Sequence, residues 1–273
     1  MSREPSPFLS ANLICDYLIS KFDEGSSSGT LNSIRSAINF FTLNFLDLEE
    51  NIFCKRLFKS FYKRRPLKPR YTTFWPVSQL LEYLRSLHPP QDLSLKNLTL
   101  KTLALIALSS SDRGQTLHLA SVNSMSITSQ SVDFIVKERT KTTRRILKPI
   151  TISCVSNDDE SPNFANYVQF YINATKAHRG KEGKLFISWK TLKPVVRSSL
   201  ARWLKQVLAS AGIDTSIFKA HSYRGAGLSH ALNKGATIDQ IVKAGNWANA
   251  STFNKFYNAP SYDSAIGNII LND

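Results

Sequence analysis

Apolar residues recur at helical spacing through the first quarter of the chain and predict three helices. The first covers Leu13 to Phe22, the second opens at Thr30, and the third covers about 50–63. The apolar stripe of the second helix consists of Leu31, Ile34, Ile38, Phe41 and Phe45, and that of the third of Ile52, Phe53, Leu57, Phe58 and Phe61. Because residues three and four apart share one face of a helix, each stripe is expected to be buried.

Helical periodicity returns at Val77. An apolar helix of about 94–110 leads into Arg113, and beyond it the pattern changes to two β-branched runs joined by a strongly basic turn. Such runs predict strands, here Ser131–Val136 and a partner from Arg145 to Ile152. The expected fold is therefore mainly α with a small β hairpin or sheet (α+β).

A basic segment separates these two regions. Between positions 55 and 70 there are eight lysines and arginines and no acidic residue. The eight are Lys55, Arg56, Lys59, Lys63, Arg64, Arg65, Lys68 and Arg70. Pro66 and Pro69 stiffen the segment, because proline fixes its own backbone angle φ. We interpret it as a strap that follows a DNA backbone, the alternative being a solvated basic hinge.

The charge of the whole chain indicates the class of its partner. The formal net charge is +15, from 35 Lys and Arg against 20 Asp and Glu. An excess of this size, clustered along the chain, favours a nucleic acid partner. Cys15, Cys54 and Cys154 are far apart and fit neither a disulfide framework nor a metal site. No apolar run reaches about 18 residues, so we expect a soluble intracellular protein with no membrane partner.

The most informative stretch of the sequence contains His221, Arg224, Trp247 and Tyr257 among glycine-bounded helical segments. A guanidinium binds two phosphate oxygens in fork geometry. A histidine or an indole N–H can hydrogen-bond the same oxygens, and a histidine can also accept or donate a proton. A tyrosine hydroxyl can form a covalent ester with phosphorus. The set is suited to phosphoryl transfer on a phosphodiester.

The same stretch carries signals for helix ends. Gly235 is expected to end one helix, Thr237 to cap the next, and Ser251 or Thr252 to cap the last.

The order of these motifs resembles a known family. H-x-x-R, a glycine-bounded helix, G-x-W and then S-T-F-x-x-F-Y look like the C-terminal half of the tyrosine recombinase (phage integrase) family. The form with Trp in third place is most similar to the recombinases of DIRS-like eukaryotic retrotransposons. Arg224 and Tyr257 are 257 − 224 = 33 residues apart, which is the separation that the family has. The resemblance covers about 75–260.

The resemblance implies a domain organisation. Residues 1–66 would form a helical DNA core-binding domain, 67–76 a basic linker, and 77–273 the catalytic domain with a C-terminal tail at 261–273. The tail either packs on its own domain or docks on a neighbouring protomer.

The resemblance also assigns roles to residues of the catalytic domain. Arg113 matches the first catalytic arginine, and Lys141 on the hairpin matches the catalytic lysine, with Lys137 as its competitor. Many members carry an acidic residue three positions after the first arginine, where this chain has Thr116, so the support of the guanidinium must differ here. The hairpin would contact DNA through Lys137, Arg139 and Arg144.

The implied reaction is strand cleavage and rejoining without a metal or a cofactor. Arg113 and Arg224 would hold the phosphate with help from Trp247, and His221 would orient it or accept the phenolic proton. Tyr257 would attack to give a 3′-phosphotyrosyl enzyme, and Lys141 would protonate the leaving 5′-oxygen. The implied partners are double-stranded DNA and further protomers in a tetramer on that DNA. The eukaryotic resemblance implies action in the nucleus on a mobile element.

Other interpretations stay open at this point. Tyr262, five residues beyond Tyr257, is an alternative nucleophile. The chain could be an inactive DNA-binding protein of the same fold, or a topoisomerase that rejoins the same strand.

Overall fold

The computed structural model describes residues 10–42, 46–128, 131–138, 150–155, 164–181, 183–245, 247 and 249–256. Within these ranges the chain forms helices and one three-stranded antiparallel sheet. It divides into two compact units, Met1–Pro69 and Arg70–Asp273, and the division falls inside the predicted linker. The DNA-binding role expected of the first unit stays a prediction.

The first unit contains three helices around a small aromatic core. They are α1 (Ala11–Asp23), α2 (Ser28–Phe41) and α3 (Ile52–Arg64). Phe22 of α1 stacks on Phe61 of α3 with ring centroids 4.3 Å apart, and Leu18 and Leu31 are fully buried beside them. Each helix begins at a side chain that accepts a backbone N–H, namely Ser10, Ser27 and Asn51.

Three expectations for this unit were wrong in detail. The second helix begins at Ser28 rather than Thr30, because Ser27 Oγ accepts a hydrogen bond from the Thr30 N–H at 3.1 Å and so caps one turn earlier. Phe41 is 81% exposed rather than buried, since α2 ends there. In α3 the first-turn residues Ile52 and Phe53 are exposed, because the buried face of that helix is formed by Cys54, Phe58 and Phe61. Phe45 lies outside the described residues.

The second unit is organised around one apolar helix, α5. Its elements are α4 (Val77–Ser86), α5 (Leu95–Ser110), α6 (Gly114–Leu119), α7 (Phe164–Thr175), α8 (Arg197–Ser210), α9 (Ser222–Asn233), α10 (Ile238–Ala244) and α11 (Ala250–Phe256). Helix α5 packs against α7, α8 and α9, and Leu103, Ala104 and Ile106 on it are buried completely. The apolar helix predicted for this region is confirmed.

The sheet of the second unit has the order β1 (Met125–Ile127), β2 (Ser131–Val136), β3 (Ile150–Val155). Phe134 of β2 lies opposite Ile152 of β3 in an antiparallel register. Val132, Phe134 and Val136 are buried, as expected of alternate residues on one face of a strand. The α+β class is confirmed. The apolar pattern of the sequence did not predict β1, because a strand of three residues is too short to show a period. It predicted that the last strand begins at Arg145, which lies outside the described residues.

None of the helices in the described ranges is both long enough and apolar enough to cross a membrane.

We predict that Leu103→Ala destabilises the second unit by about 2–5 kcal/mol, because Leu103 is fully buried and its removal leaves a cavity. Urea unfolding followed by tryptophan fluorescence measures this, since Trp75, Trp189, Trp203 and Trp247 all belong to that unit. Ile217→Ala, at a side chain that is 57% exposed, is the control and should change the stability by less than about 0.5 kcal/mol. Equal effects of the two changes would contradict the assigned core.

Candidate active site

The first turn of α9 is anchored in the core. Trp75 Nε1 donates to Ser222 Oγ at 2.8 Å, and the Tyr223 hydroxyl donates to the Leu204 carbonyl at 3.2 Å. Both Ser222 and Tyr223 are buried. These two contacts fix the position from which the next residue, Arg224, extends.

Arg224 joins three parts of the second unit through its guanidinium. Nη1 donates to the Ser111 carbonyl after α5 at 2.9 Å, and Nη2 donates to the Gly245 carbonyl after α10. The Trp247 ring covers the guanidinium, with its centroid 4.3 Å from Cζ. The side chain is only 2% exposed, so its plane is fixed by protein contacts.

Arg113 reaches the same region from the other side of Ser111. Helix α5 ends at Ser110, and its C-cap residue Ser111 has a left-handed backbone with φ 51° and ψ 26°. Arg113 is the N-cap residue of α6 and is half-buried. Between these two residues, the Asp112 backbone N–H donates to Ser110 Oγ at 3.2 Å.

Trp247 is positioned by a close approach to Gly245. A Cβ at Gly245 would lie 2.3 Å from the Trp247 ring, so only glycine leaves room for it. The ring also packs on Phe253 of α11, at 5.7 Å between centroids. Helix α10, which delivers Gly245, begins with a capping box between Thr237 and Gln240, as expected for Thr237.

The ends of α9 and α11 differ in part from the sequence expectation. Gly235 follows the C-cap residue Lys234 with φ +95°, which confirms that the helix ends there. Helix α11 begins earlier than Ser251 or Thr252. Asn249 Oδ1 accepts from the Ser251 N–H at 3.1 Å, so an asparagine occupies the capping role.

The site is strongly cationic. His221, the N-cap residue of α9, is exposed, yet partial desolvation and the charges of Arg224, Arg70 and Arg113 hold its pKa below the ordinary value. Burial raises the pKa of Asp112 to about 6, although Arg224 and Arg113 oppose that shift. A cluster of guanidiniums beside a neutral imidazole can bind an anion such as a phosphodiester and accept a proton.

The structure brings together four of the six predicted catalytic residues, Arg113, His221, Arg224 and Trp247. Lys141 and Tyr257 lie outside the described residues, as do Arg139 and Arg144. Lys137 directly follows β2 and is exposed. Within the described chain, no group of three or more His, Cys, Asp and Glu side chains could hold a metal ion.

The eight basic residues of positions 55–70 are all exposed. Four of them have a partner within their own unit, and two of these are Arg64, over the Phe22 ring, and Arg70, over the Tyr71 ring. Lys55 forms an ion pair with Glu50 at 2.5 Å, and the Arg65 guanidinium lies 3.8 Å from the centroid of the Phe22 ring. Lys59 and Lys63 project from the polar face of α3.

Two residues of the site were missed from the sequence. Asp112 could have been noticed as an acid directly before Arg113, and Gly245 was read only as a helix end. Gly245 matters because the Trp247 ring approaches it closely, and Asp112 because burial raises its pKa. Neither fact can be inferred from the sequence.

A comparison with protein families agrees with this geometry. The model described as the phage integrase family matches residues 72–263, which is well over half of the chain. The chain belongs to the phage integrase family. No curated protein sequence matches it.

Solved structures of recombinases share the fold of this family member. The XerH site-specific recombinase bound to palindromic difH substrate has a TM-score of 0.63 at 11% identity, covering 97% of this chain and 73% of that one. The Tn1549 transposon integrase with transposon right end DNA has a TM-score of 0.63 at 13% identity, covering 98% and 87%. A lambda integrase tetramer bound to a Holliday junction has a TM-score of 0.57 at 12% identity, covering 97% and 69%. These likenesses confirm the expected recombinase fold.

We predict that Gly245→Ala destabilises the second unit by about 1–3 kcal/mol, because the new methyl group overlaps the Trp247 ring. The backbone of Gly245 has an ordinary φ of −72°, so the effect is steric. The displaced indole should also change the tryptophan emission spectrum of the folded protein.

Gly180→Ala is the matched control, because no atom lies within 4 Å of the added Cβ. Urea unfolding and emission spectra of both variants test the prediction. Identical unfolding midpoints and spectra would show that the ring does not lie against Gly245.

Proposed function

We propose that this chain is a site-specific DNA recombinase that cleaves and rejoins strands through a 3′-phosphotyrosyl intermediate. The observation that carries the proposal is the convergence of Arg113, His221 and Arg224 in one cationic site of a phage integrase family member. Helix α11 ends at Phe256, one residue before the proposed nucleophile Tyr257.

The proposed roles of the residues follow from the charge that develops on the phosphate and from the protons that must be transferred. The guanidiniums of Arg113 and Arg224 bind the non-bridging oxygens of the scissile phosphate and stabilise the charge that develops there. The Tyr257 oxygen forms a bond to phosphorus as the bond to the 5′-oxygen breaks. The phenolic proton passes to a neutral base and the 5′-oxygen receives a proton from Lys141. A 5′-hydroxyl of a second duplex then reverses the steps.

His221 is suited to accept the phenolic proton. Its lowered pKa keeps the imidazole neutral near pH 7, and a neutral imidazole has a nitrogen that can accept. Desolvation and the same arginines that hold the phosphate thus keep the base unprotonated.

Arg224 needs a local rearrangement to reach the phosphate. The side chain is 2% exposed under Trp247, so phosphate binding must shift the indole or the Gly245 carbonyl. We propose that Trp247 moves from the face of the guanidinium to the phosphate, where its N–H donates to an oxygen.

The proposed partner is double-stranded DNA. A net charge of +15 and exposed lysines along α3 supply the cations that phosphate contacts need. The similar XerH and Tn1549 structures contain DNA, and the lambda integrase structure is a tetramer on a Holliday junction. We propose a tetramer on DNA for this chain as well. The resemblance to DIRS-like recombinases supports mobile-element integration in the nucleus.

We predict that the wild-type protein forms a covalent adduct with a nicked suicide substrate carrying the element's terminal sequence. The nick releases a short strand after cleavage, so the phosphotyrosyl enzyme accumulates and is visible on a denaturing gel. Tyr257→Phe should abolish the adduct because the attacking hydroxyl is gone. Tyr262→Phe is the matched control and should leave it intact.

Each outcome of this experiment separates one interpretation from the others. Loss of the adduct only in Tyr262→Phe would move the nucleophile to Tyr262. Salt-sensitive binding without an adduct, over a library of sites, would indicate an inactive DNA-binding protein. An adduct with relaxation of supercoils and no joining of two DNAs would indicate a topoisomerase.

We predict that Lys141→Ala slows cleavage about 100- to 10,000-fold on ordinary DNA, the range expected for loss of a general acid. A substrate with sulfur in place of the bridging 5′-oxygen should restore the rate, because a thiolate leaves without protonation. Lys137→Ala is the matched control and should cleave both substrates at wild-type rate. If Lys137→Ala instead slowed cleavage of ordinary DNA and the sulfur substrate restored its rate, Lys137 would be the general acid.

A further inference from the structure

Two cysteines that are far apart in the sequence meet in the core of the first unit. Cys15 lies on α1 and Cys54 lies on α3, 54 − 15 = 39 positions further along the chain. Their Sγ atoms are 3.3 Å apart, and the two thiols share a hydrogen bond. Cys15 is 9% exposed and Cys54 is fully buried. The spacing along the chain gives no sign of this pair, which only the packing of the helices creates.

We propose that Cys15 and Cys54 form a redox modification site, at which an intramolecular disulfide links α1 to α3 when oxidised glutathione or another small disulfide accepts the electrons. This proposal goes beyond the recombinase function and does not depend on it. The alternative is that the two thiols only fill space in the core, as buried cysteines commonly do.

The two helices hold the cysteine pair in register with an aromatic pair. Phe22 follows Cys15 by 22 − 15 = 7 residues on α1, and Phe61 follows Cys54 by 61 − 54 = 7 residues on α3. Seven residues are about two helical turns, so each cysteine shares a face with the aromatic ring on its helix. The Phe22 and Phe61 rings stack with centroids 4.3 Å apart. The interface between α1 and α3 is therefore fixed at two levels, and one of them brings the sulfurs together.

Only a short movement separates the thiol pair from a disulfide. The S–S bond is about 2.05 Å long, so the sulfurs must approach each other by about 1.3 Å. The two thiols already touch, so no other side chain has to leave before the bond forms.

The reaction consists of two thiol–disulfide exchanges. The sulfur of one cysteine attacks oxidised glutathione, whose S–S bond breaks, and one glutathione leaves as a thiol with a proton. The sulfur of the second cysteine then attacks the mixed disulfide, and the second glutathione leaves with the other proton. The cysteine pair loses two electrons and two protons, and oxidised glutathione gains both.

Burial controls when this reaction occurs. Desolvation and the hydrogen bond to Cys54 raise the pKa of Cys15 to about 12, so the thiolate that attacks a disulfide is scarce in the closed unit. Exchange therefore proceeds through transient opening of α1 from α3. Once the unit closes, the same burial protects the new disulfide from reducing thiols.

The disulfide stabilises the unit that carries the basic face of α3. The bond restricts the unfolded chain, and bonds of this kind typically favour the folded state by a factor of about 30 to 1,000. Cys54 lies on the buried side of α3, whereas Lys55, Lys59 and Lys63 are exposed. Oxidation should therefore hold α3 in place without covering its lysines.

The test measures how strongly folding favours the disulfide. The whole chain is brought to equilibrium with mixtures of reduced and oxidised glutathione, both natively and by refolding from urea, while a parallel series stays in urea. By linkage, a disulfide that stabilises the folded unit forms more readily in that unit by the same factor. We expect its equilibrium constant to be about 30- to 1,000-fold larger in the folded protein than in urea.

Mass spectrometry identifies the bond. After alkylation of the remaining thiols, trypsin without reductant should release peptide 4–21 linked to peptide 36–55, because Lys21 ends the first and Arg35 and Lys55 bound the second. The protein should lose two hydrogen atoms and keep one alkylated thiol among its three cysteines. Amide hydrogen exchange should slow by about 10-fold or more in α1 and α3 and stay unchanged in α5 of the second unit.

Cysteine variants separate this site from other thiol chemistry. Cys15→Ala and Cys54→Ala should each abolish the linked peptide and the change in hydrogen exchange. Cys154→Ala removes the third cysteine, on β3 of the second unit, and is the matched control that should keep both. The comparison of reduced with oxidised wild-type protein does not depend on whether either variant folds.

Three results would each overturn the proposal and leave the pair as core packing. One is the absence of the linked peptide at equilibrium by either route. Another is an equal equilibrium constant in the folded protein and in urea. The last is faster hydrogen exchange in α1 and α3 after oxidation.

Discussion

The burial of one positive charge organises the second unit. Arg224 is 2% exposed, and an isolated guanidinium in such a place would be strongly unfavourable. The Ser111 carbonyl, the Gly245 carbonyl and the Trp247 ring together make it tolerable. These groups belong to two connections, the one after α5 and the one after α10, so stabilising the charge also fixes how the ends of α5 and α10 meet α9. The contacts that stabilise the buried charge of Arg224 are therefore also the contacts that hold the site together.

The apolar helix α5 gives these contacts a rigid base. Its buried leucines pack against α7, α8 and α9, and its C-terminal residue Ser110 begins the connection that carries Asp112 and Arg113. Two glycines then determine how closely α9 approaches the end of α5 and how closely the indole approaches the end of α10. Gly227 lets α9 reach the end of α5, and Gly245 leaves room for the indole. A well-packed scaffold of this kind holds side chains to the accuracy that phosphate chemistry requires.

The site balances two electrostatic demands. A phosphodiester needs several cations, but cations crowded together repel each other and lower the pKa of any base beside them. Desolvation and the charges of Arg224, Arg70 and Arg113 lower the pKa of His221, while burial raises the pKa of Asp112 against the charges of Arg224 and Arg113. The recombinase fold is retained in structures that share only 11–13% of their residues with this chain.

The sequence by itself determined the helices, the basic character and the order of the chemical groups. The helical period, the N-cap at Thr237 and the spacing from His221 to Tyr257 are local properties that neighbouring residues fix. Only the tertiary structure decided that Phe41 is exposed, that Arg224 is buried under Trp247 and that burial raises the pKa of Asp112. The reason is distance along the chain. Ser111 and Arg224 are 113 residues apart, and which charge meets which partner depends on how the intervening helices pack.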